Sequence, residues 1–387
     1  MAERRARLAA RHHLAVPAGT VEQASAALVG LHSSDPASVY LAARARVCGF
    51  RVAHLEAALY EARGLVRVLG MRRTMFVLPC DLAAVVDAAC TRALAPAERR
   101  RLLRLLGDQG ITADPEAWLR EVQERTLAAL AARGAATAKE LSAEVPELTA
   151  KLSFGAGRSW AGTVGVSTRV LFLLASEGRI VRARPRGTWI SSQYRWASTA
   201  HWLGAAFPGL EPAAARGQLL HRWLTAFGPV TMTDVTWWSG WSVRRARDAL
   251  AACGAEPVEL DGGPGFVACG DHEPVPSAAS WVALLPSLDS TVMGWKERAW
   301  YLGDHGGQLF DRNGNAGPTV WLDGRVVGGW GQRRDGSVAV ELLEPLAAPA
   351  RDRIAAEAAR LQEWLVGTVV RPRFRTPLER RLASGHG

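Results

Sequence analysis

The sequence predicts an α+β fold, because segments with helical periodicity alternate with short strand pairs. Apolar residues fall at helical spacing from Val21 to Val47 and again from His54 to Ala62. The stretch GLVRVLGMRRTMFVLP that follows alternates like two short strands joined by a turn. The same order, helices followed by a strand pair, recurs twice further along the chain.

The two further copies of this order differ in sequence from the first. The second copy has helical patterns from Trp118 to Arg133, from Thr137 through TAKELSAEVPEL and from Ser167 to Glu177, followed by GRIVRARPRGTWISSQYRW. The third copy has helical patterns from Gln218 to Phe227, near Thr231 and from Val243 to Cys253, followed by EPVELDGGPGFVAC. The last region is rich in strand-like patterns and ends in a helix from Ala350 to Leu365 and a basic tail.

Three helices followed by a basic hairpin are the pattern of a winged helix, a DNA-binding module whose third helix enters the major groove. The sequence therefore predicts three tandem winged-helix motifs and a C-terminal β-rich, barrel-like domain. We place the first winged helix at residues 1–105, the second at 106–200 and the third at 201–275. The C-terminal domain is expected to span residues 276–387.

The charge of the chain points to a polyanionic partner. The net charge is +10, and only three of the 47 basic residues are lysines. Arginine suits bidentate contacts with phosphates and base edges, so double-stranded DNA is the expected partner. No apolar run approaches the roughly 18 residues of a membrane helix. The five cysteines include no CxxC pair, and we expect a cytoplasmic protein without metal, cofactor or membrane contact.

Basic side chains cluster in the predicted wings and on one predicted recognition helix. The alternatives to DNA contact are a solvated strand edge for the first wing and a charged outer face balanced by Asp248 for the helix. The candidates for DNA contact in these elements are Arg72, Arg73, Arg179, Arg182, Arg184, Arg186, Arg244 and Arg245. The glycine-rich stretch KLSFGAGRSWAG adds Lys151, Arg158 and Trp160.

The stretch GLHSSDPASVYLAARARV, from Gly30 to Val47, holds the candidate catalytic residues. Ser34 or Asp35 can cap a helix that begins at Pro36, since proline fits the first helical position. A helix N-terminus also attracts anions. His32, with an ordinary pKa near ~6.5, has the chemistry of a general base. The stretch is therefore either a helix start or a reactive loop.

Four stretches together resemble the AlkZ/YcaQ winged-helix family of bacterial DNA glycosylases. They are GLHSSDPASVYLAARARV, MRRTMFVLP, LLPSLDSTVMGWKER and PTVWLDGRVVGGW, and they span most of the chain in the family order. The resemblance implies removal of bulky or alkylated bases, including N7-alkylguanine and interstrand crosslinks. It also implies a role in DNA repair or in self-resistance of a genotoxin producer, by a monomer without an obligate protein partner.

The resemblance assigns roles to individual positions. The family usually has two polar side chains, often glutamines, where this sequence has His32 and Ser34, and there they position the water that attacks the sugar. We therefore take His32, Ser34 and Asp35 as candidate catalytic residues. Asp289, Lys296 and Arg298 are carried over as candidates near the DNA, with an Asp289 to Arg298 ion pair as the structural alternative.

Two classes of function remain open from the sequence. One is a monofunctional DNA glycosylase. The other is a DNA-binding protein without activity, a lesion shield or a transcription regulator, in which HSS has replaced the catalytic pair.

Overall fold

The computed structural model describes residues 1–155, 157–158 and 161–385. It confirms a mixed helix and strand structure. The helices are α1 (Ala2–Arg11), α2 (Val21–Ala27), α3 (Pro36–Arg44), α4 (Val52–Glu56), α5 (Cys80–Val86), α6 (Ala95–Asp108), α7 (Pro115–Arg133), α8 (Ala138–Glu144), α9 (Val166–Ser176), α10 (Thr199–Leu203), α11 (Pro212–Phe227), α12 (Met232–Ser239), α13 (Val243–Ala252), α14 (Ala299–Leu302), α15 (Gly306–Leu309), α16 (Ala348–Leu365) and α17 (Pro377–Ser384).

The strands are short and lie in four antiparallel sheets. They are β1 (Leu31–His32), β2 (Leu65–Leu69), β3 (Met75–Pro79), β4 (Lys151–Phe154), β5 (Gly162–Gly165), β6 (Ile180–Arg182), β7 (Trp196–Ser198), β8 (Glu256–Leu260), β9 (Gly263–Val267), β10 (Val282–Leu285), β11 (Thr319–Leu322), β12 (Arg325–Gln332) and β13 (Val338–Leu342). Within the described residues, three helices and then a strand pair follow one another in α2 to β3, α7 to β7 and α11 to β9, with β1 between the helices of the first set and β4 and β5 between those of the second.

The strand pairs of the first two copies join in one sheet, which the sequence did not indicate. Its order is β1-β3-β2-β6-β7, and β2 meets β6 where Arg67 faces Arg182. The short strand β1 forms an edge beside β3, with Leu31 opposite Val77 and His32 opposite Phe76. This sheet positions the stretch that contains the candidate catalytic residues.

The hydrophobic core has three parts. The largest cluster runs from α1 through the first sheet to α11, α13 and the C-terminal strands. A second cluster is confined to residues 102–196 and packs α7, α8 and α9 together. The third lies between the C-terminal sheet and α16. Because the first cluster joins residues distant in sequence, the two ends of the chain fold against each other.

The C-terminal strands form an open sheet, not a barrel. Their order is β10-β11-β12-β13, each antiparallel to the next. Helix α16 packs against the two edge strands β10 and β13, while α17 packs against β12 and β13. In the described part of the chain no sheet closes into a barrel, so the predicted barrel-like closure is wrong.

Within residues 21–47, where the apolar spacing is helical, the chain forms α2 and α3 with a bend and the strand β1 between them. Helix α2 ends at Ala27, and Gly30 follows with a φ of 103°. A Cβ at Gly30 would lie 2.5 Å from Leu78 Cδ2, so this bend requires glycine. The chain then enters β1 before α3 begins.

No helix within residues 1–155, 157–158 and 161–385 is both long and apolar enough to cross a membrane.

Candidate functional site

Asp35 caps helix α3, as the sequence predicts. Its Oδ1 accepts the Ala37 backbone N–H at 3.2 Å, and Pro36 is the first residue of the helix. Its Oδ2 accepts the Arg373 backbone N–H at 2.9 Å. Burial raises the pKa of Asp35, against the lowering effect of these two hydrogen bonds and of the Arg373 charge. Both carboxylate oxygens are therefore engaged in holding the loop.

His32 lies buried in β1, next to the turn between β2 and β3 that carries Arg72. Only 4% of the residue is exposed, and its ring meets Phe76 edge-on with centroids 5.1 Å apart. Nδ1 is buried and has no hydrogen-bond partner among the described residues. Burial, together with the charge of Arg72, lowers the pKa of His32 to about 3. The expected pKa near ~6.5 is therefore wrong, because burial disfavours the charged ring.

Ser34 brings the loop to the protein surface. It is half-buried, and its Oγ accepts the Met75 backbone N–H at 3.3 Å. The Arg373 Nη1 lies 3.5 Å from the Ser34 carbonyl oxygen, and the Arg373 side chain is exposed. Ligands therefore have access to the loop at Ser34, beside a guanidinium.

Ser290, which is not among the site residues predicted from the sequence, holds the loop through hydrogen bonds to its backbone. The Ser290 Oγ accepts the His32 backbone N–H at 3.1 Å and donates to the Gly30 carbonyl at 2.8 Å. The hydroxyl of Ser38, in α3, donates to the Ser287 carbonyl at 2.6 Å. The segment around Ser290 therefore fixes both the strand and the helix that flank the candidate catalytic loop.

Asp289 lies in the core, so the structure does not place it against DNA. The residue is 1% exposed, and its two oxygens accept hydrogen bonds of 2.9 and 2.6 Å from Arg46. The Arg46 and Asp289 side chains are both fully buried. The suggested ion pair between Asp289 and Arg298 is therefore wrong, because the carboxylate of Asp289 is paired with Arg46, two residues beyond the end of α3.

Arg72 and Arg298 both stack on Trp237. Their guanidinium carbons lie 3.9 and 5.0 Å from the centre of a Trp237 ring, and Arg298 also lies 4.4 Å from the ring centre of Phe310. Burial and the charge of Arg298 lower the pKa of Arg72 to about 10. Arg72 is thus held in the fold, and the turn between β2 and β3 is attached to α12 beside His32.

A second group of arginines and aromatic rings lies on the opposite face of the sheet. His32, Phe76 and Val68 are cross-strand neighbours, whereas Arg67 is the neighbour of Val77 and Arg182. Cross-strand neighbours share a face and successive residues alternate, so Arg67 and Arg182 point away from the His32 side. Sequence reasoning missed Arg67, although an arginine inside the apolar run LVRVL is a visible signal.

The arginines of the second hairpin do not form the single basic face that the sequence predicts. Arg184 pairs with Glu56 and Glu61, and Arg186 pairs with Glu140. Arg182 instead stacks on Trp196, 3.6 Å from its ring centre. The strands β6 and β7 have only three residues each, so the long loop between them folds back onto neighbouring helices rather than extending as a regular hairpin.

The other predicted basic residues have varied environments. Arg73 pairs with Glu98 and lies 5.3 Å from the ring centre of Phe172. Trp160 lies outside the described residues. Those exposed to solvent without an ion pair in the described part of the chain are Lys151, Arg158, Arg179, Arg244, Arg245 and Lys296.

Two further features of the molecule are weaker candidates. A cavity of about 830 Å³ lies between α1 and the third hairpin, but its rim is acidic, with Glu3, Glu259, Asp261, Asp271 and Glu297, which disfavours a DNA strand. Within the described residues, no three histidine, cysteine or acidic side chains are grouped as metal ligands. The loop between the two arginine groups is therefore the better candidate.

A loop at a helix N-terminus, flanked by arginines on aromatic rings, is typical of a protein that binds nucleic acid. The chain belongs to the family described as DNA glycosylase AlkZ-like, whose model matches residues 26–364. Among solved structures, Streptomyces sahachiroi DNA glycosylase AlkZ is similar to it, with 20% identity and a TM-score of 0.70 over 93% of this chain and 96% of that chain. At this identity the likeness shows the fold. No curated protein matches the chain. Family and fold support a DNA glycosylase, an enzyme of DNA repair.

Proposed function

We propose that the protein is a monofunctional DNA glycosylase that hydrolyses the N-glycosidic bond of bulky or alkylated purines in double-stranded DNA. N7-alkylguanine is the proposed lesion type, and we extend the proposal to interstrand crosslinks. The protein acts as a cytoplasmic monomer, without metal or cofactor, in DNA repair or in self-resistance to a genotoxin. The observation that carries this proposal is the unpartnered Nδ1 of His32, buried beside Ser34 in a loop flanked by arginines.

Hydrolysis of the glycosidic bond of an N7-alkylated guanine requires few catalytic groups. An N7-alkylated guanine is cationic, so the electron pair of the breaking glycosidic bond neutralises the departing base. Water adds its oxygen to C1′ of the sugar, and one water proton passes to solvent. With a pKa of about 3, His32 is neutral at physiological pH and accepts a hydrogen bond from this water. Its contribution is orientation of the water more than proton removal, because a strong general base needs a pKa near the working pH.

The three helix and hairpin segments supply the surface for the duplex. We propose that they are three tandem winged helices and that α13 is the recognition helix of the third. Arg244 and Arg245 are exposed near the start of α13, and its Ser242 cap leaves that end facing solvent. Lys151, Arg158, Arg179 and Lys296 extend the positive surface. Arg72 and Arg298, held on Trp237, supply positive charge beside His32.

One observation favours a second function, DNA binding without catalysis. His32 is almost fully buried, and the Ser34 hydroxyl is already engaged by the backbone of β3. If the loop stays closed on DNA, no water reaches the sugar, and the protein would act as a shield for the lesion or as a regulator.

Formation of abasic sites separates the two functions. Duplex DNA alkylated at N7 of guanine is incubated with the protein and then treated with alkali, which breaks the strand at abasic sites. A glycosylase produces strand breaks at the lesion above the protein-free control. A gel shift on the same duplex, with breaks no more frequent than in the control, supports the shield and contradicts the glycosylase.

A further inference from the structure

Arg67 and Arg182 form a pair of guanidinium groups around one tyrosine. Their guanidinium carbons lie 4.8 and 5.0 Å from the ring centre of Tyr194. Arg67 is 2% exposed, and its Nη1 lies 3.5 Å from the Tyr60 hydroxyl. We call Arg67, Arg182, Tyr194 and the adjacent Arg373 the Arg67 cluster.

The Arg67 cluster has an excess of positive charge. In the described part of the chain neither Arg67 nor Arg182 forms an ion pair with a carboxylate. The nearby Glu56 is engaged by Arg184, and Asp35 is engaged by two backbone amides. Burying a guanidinium without a carboxylate costs several kcal/mol, and stacking on aromatic rings returns only part of that cost. The cluster is therefore organised for an anion that the chain does not supply.

Hydrogen-bond donors in the cluster are also left over. The Nε atoms of Arg67 and Arg182 and the hydroxyl of Tyr194 are buried and have no partner among the described residues. Buried polar atoms without partners are rare, and a group of them at one place indicates a missing ligand. An anion bound at Arg182 would accept from the donors of Arg182 and Tyr194.

The cluster opens to solvent next to the candidate catalytic loop. Arg182 is half-buried and Arg373 is exposed, so both are within reach of a bound molecule. The charges of Arg67 and Arg373 add to the effect of burial in lowering the pKa of Arg182 to about 10, although Tyr194 opposes them. The backbone of Arg373 is tied to Asp35. A ligand in the cluster therefore lies against the loop that includes Ser34.

We propose that the Arg67 cluster is a receptor for one internucleotide phosphate of bound DNA, adjacent to the nucleotide presented to residues 32–35. Arg182 and Arg373 contact the phosphate oxygens, and Arg67 adds its charge from below. Guanidinium groups bind phosphate through paired, charge-assisted hydrogen bonds. The assignment of the ligand to DNA rests on the proposed function. A free phosphate ion has the same chemistry, and the experiment distinguishes the two sources.

Neutral replacement of single phosphates tests the proposal without any chemistry on the base. The probe is a set of short duplexes with an uncleavable abasic analogue, each with one methylphosphonate at a different linkage near the analogue, and binding is measured by fluorescence anisotropy. With the wild-type protein, one linkage beside the analogue stands out, and its neutralisation weakens binding about tenfold, which corresponds to about 1.4 kcal/mol. In Arg182→Met, binding is weaker and that linkage no longer stands out, whereas the effects at other linkages persist.

The matched control is Arg351→Met, which removes an exposed arginine of α16 outside the cluster. It keeps the wild-type profile. The proposal is overturned if no linkage stands out with the wild-type protein, or if the same linkage still stands out in Arg182→Met.

Thermal unfolding is the second experiment that tests the proposed phosphate site. Arg67→Met removes a buried charge at similar side-chain length, so we expect it to fold with a melting temperature equal to or above that of the wild type. A short duplex raises the wild-type melting temperature more than that of the variant, and inorganic phosphate raises both little. Strong stabilisation by inorganic phosphate, together with a flat methylphosphonate profile, overturns the DNA assignment. Neither measurement depends on base release. If both tests give the expected result but no base is released, the proposed phosphate site stands and the proposed glycosylase activity is refuted.

Discussion

Ser290 and His32, which are 258 positions apart, are joined by a hydrogen bond of 3.1 Å from the His32 backbone N–H to the Ser290 hydroxyl. The same hydroxyl donates to Gly30, so one side chain bridges the two ends of the bend before the candidate catalytic loop. The C-terminal part of the chain thus sets the position of a residue near the N-terminus.

Removal of the Ser290 hydroxyl should impair both stability and activity. Ser290→Ala leaves the Gly30 carbonyl and the His32 N–H buried without partners, so the free energy of unfolding falls by about 2 kcal/mol. Release of the base from alkylated DNA slows as well, because His32 is no longer held in place. Urea unfolding and single-turnover base release measure the two effects. Ser384→Ala, at an exposed position of α17, is the control; equal behaviour of the two variants would show that the bridge is dispensable.

The buried pair of Arg46 and Asp289 is expected to govern stability. Asp289→Asn leaves the Arg46 charge buried and uncompensated, which lowers the free energy of unfolding by about 3 to 5 kcal/mol. Replacing both, as Arg46→Met with Asp289→Leu, costs less than Asp289→Asn alone. Glu116→Gln breaks an ion pair with Arg99 nearer the surface and costs at most about 1 kcal/mol. If Asp289→Asn unfolds like the wild type, the pair has no such role.

Stability should fall below pH ~6.5 because two buried histidines stay neutral in the folded protein. Burial, together with the charge of Arg46 for His12 and of Arg72 for His32, lowers the pKa of each histidine to about 3. In the unfolded chain both titrate near ~6.5, so the unfolded state binds more protons between that pH and about 3. The stabilising contribution is complete above pH ~6.5, and each histidine costs about 2 kcal/mol by about pH 5.

Urea unfolding at neutral pH and at about pH 5 checks this dependence. His32→Gln removes one titrating group and should lose less stability between the two pH values than the wild type. His201→Gln, at an exposed position, should lose as much as the wild type. Burial raises the pKa of Asp87 to about 6, which opposes the histidine effect in this range, so the comparison of variants decides: an equal loss in His32→Gln and in the wild type would mean that His32 is not held neutral.

Two exposed arginines of α13 should contribute to the salt dependence of DNA binding. Removal of one arginine that touches a phosphate lowers the slope of log K against log salt concentration by about 1. The double variant Arg244→Ala with Arg245→Ala therefore binds undamaged duplex more weakly and with a slope smaller by about 2. Arg351→Ala, on the exposed side of α16, leaves the slope unchanged. An unchanged slope in the double variant would show that Arg244 and Arg245 do not contact phosphates.

Local signals in the sequence were sufficient for most helices and hairpins. Thr137 and Thr231 each cap a helix with a reciprocal contact three residues later, and both starts are confirmed. Asp35 and Pro36 likewise mark the start of α3. Such caps are short-range and therefore readable. The bend at Gly30 was missed, because its cause is Leu78, a residue on another strand.

The candidate site was harder to predict, because its geometry depends on long-range contacts. Nothing near His32 in sequence shows that Ser290 holds its backbone or that Arg72 lies beside it. The basic residues indicated a DNA-binding protein, but their ion-pair partners in the fold determine which of them remain available to contact DNA. Arg184 and Asp289 were both assigned to DNA contact, yet Glu56 and Arg46 engage them in the folded protein. Arg67 was missed although it stands out in the apolar run LVRVL, because no residue near it in sequence shows that Arg182 and Tyr194 lie beside it.

Release of N7-methylguanine from duplex DNA, followed by mass spectrometry of the freed base under single-turnover conditions, is the most direct test of the central claim that a water held at His32 hydrolyses the glycosidic bond. The wild type should free the base well above the spontaneous rate, and His32→Ala should be slower by about 100-fold, because the attacking water loses its orientation. His32→Gln, which restores a hydrogen-bond acceptor at the same place, should retain much of the activity. A wild-type rate equal to that without protein, or a His32→Ala rate equal to that of the wild type, would contradict this account.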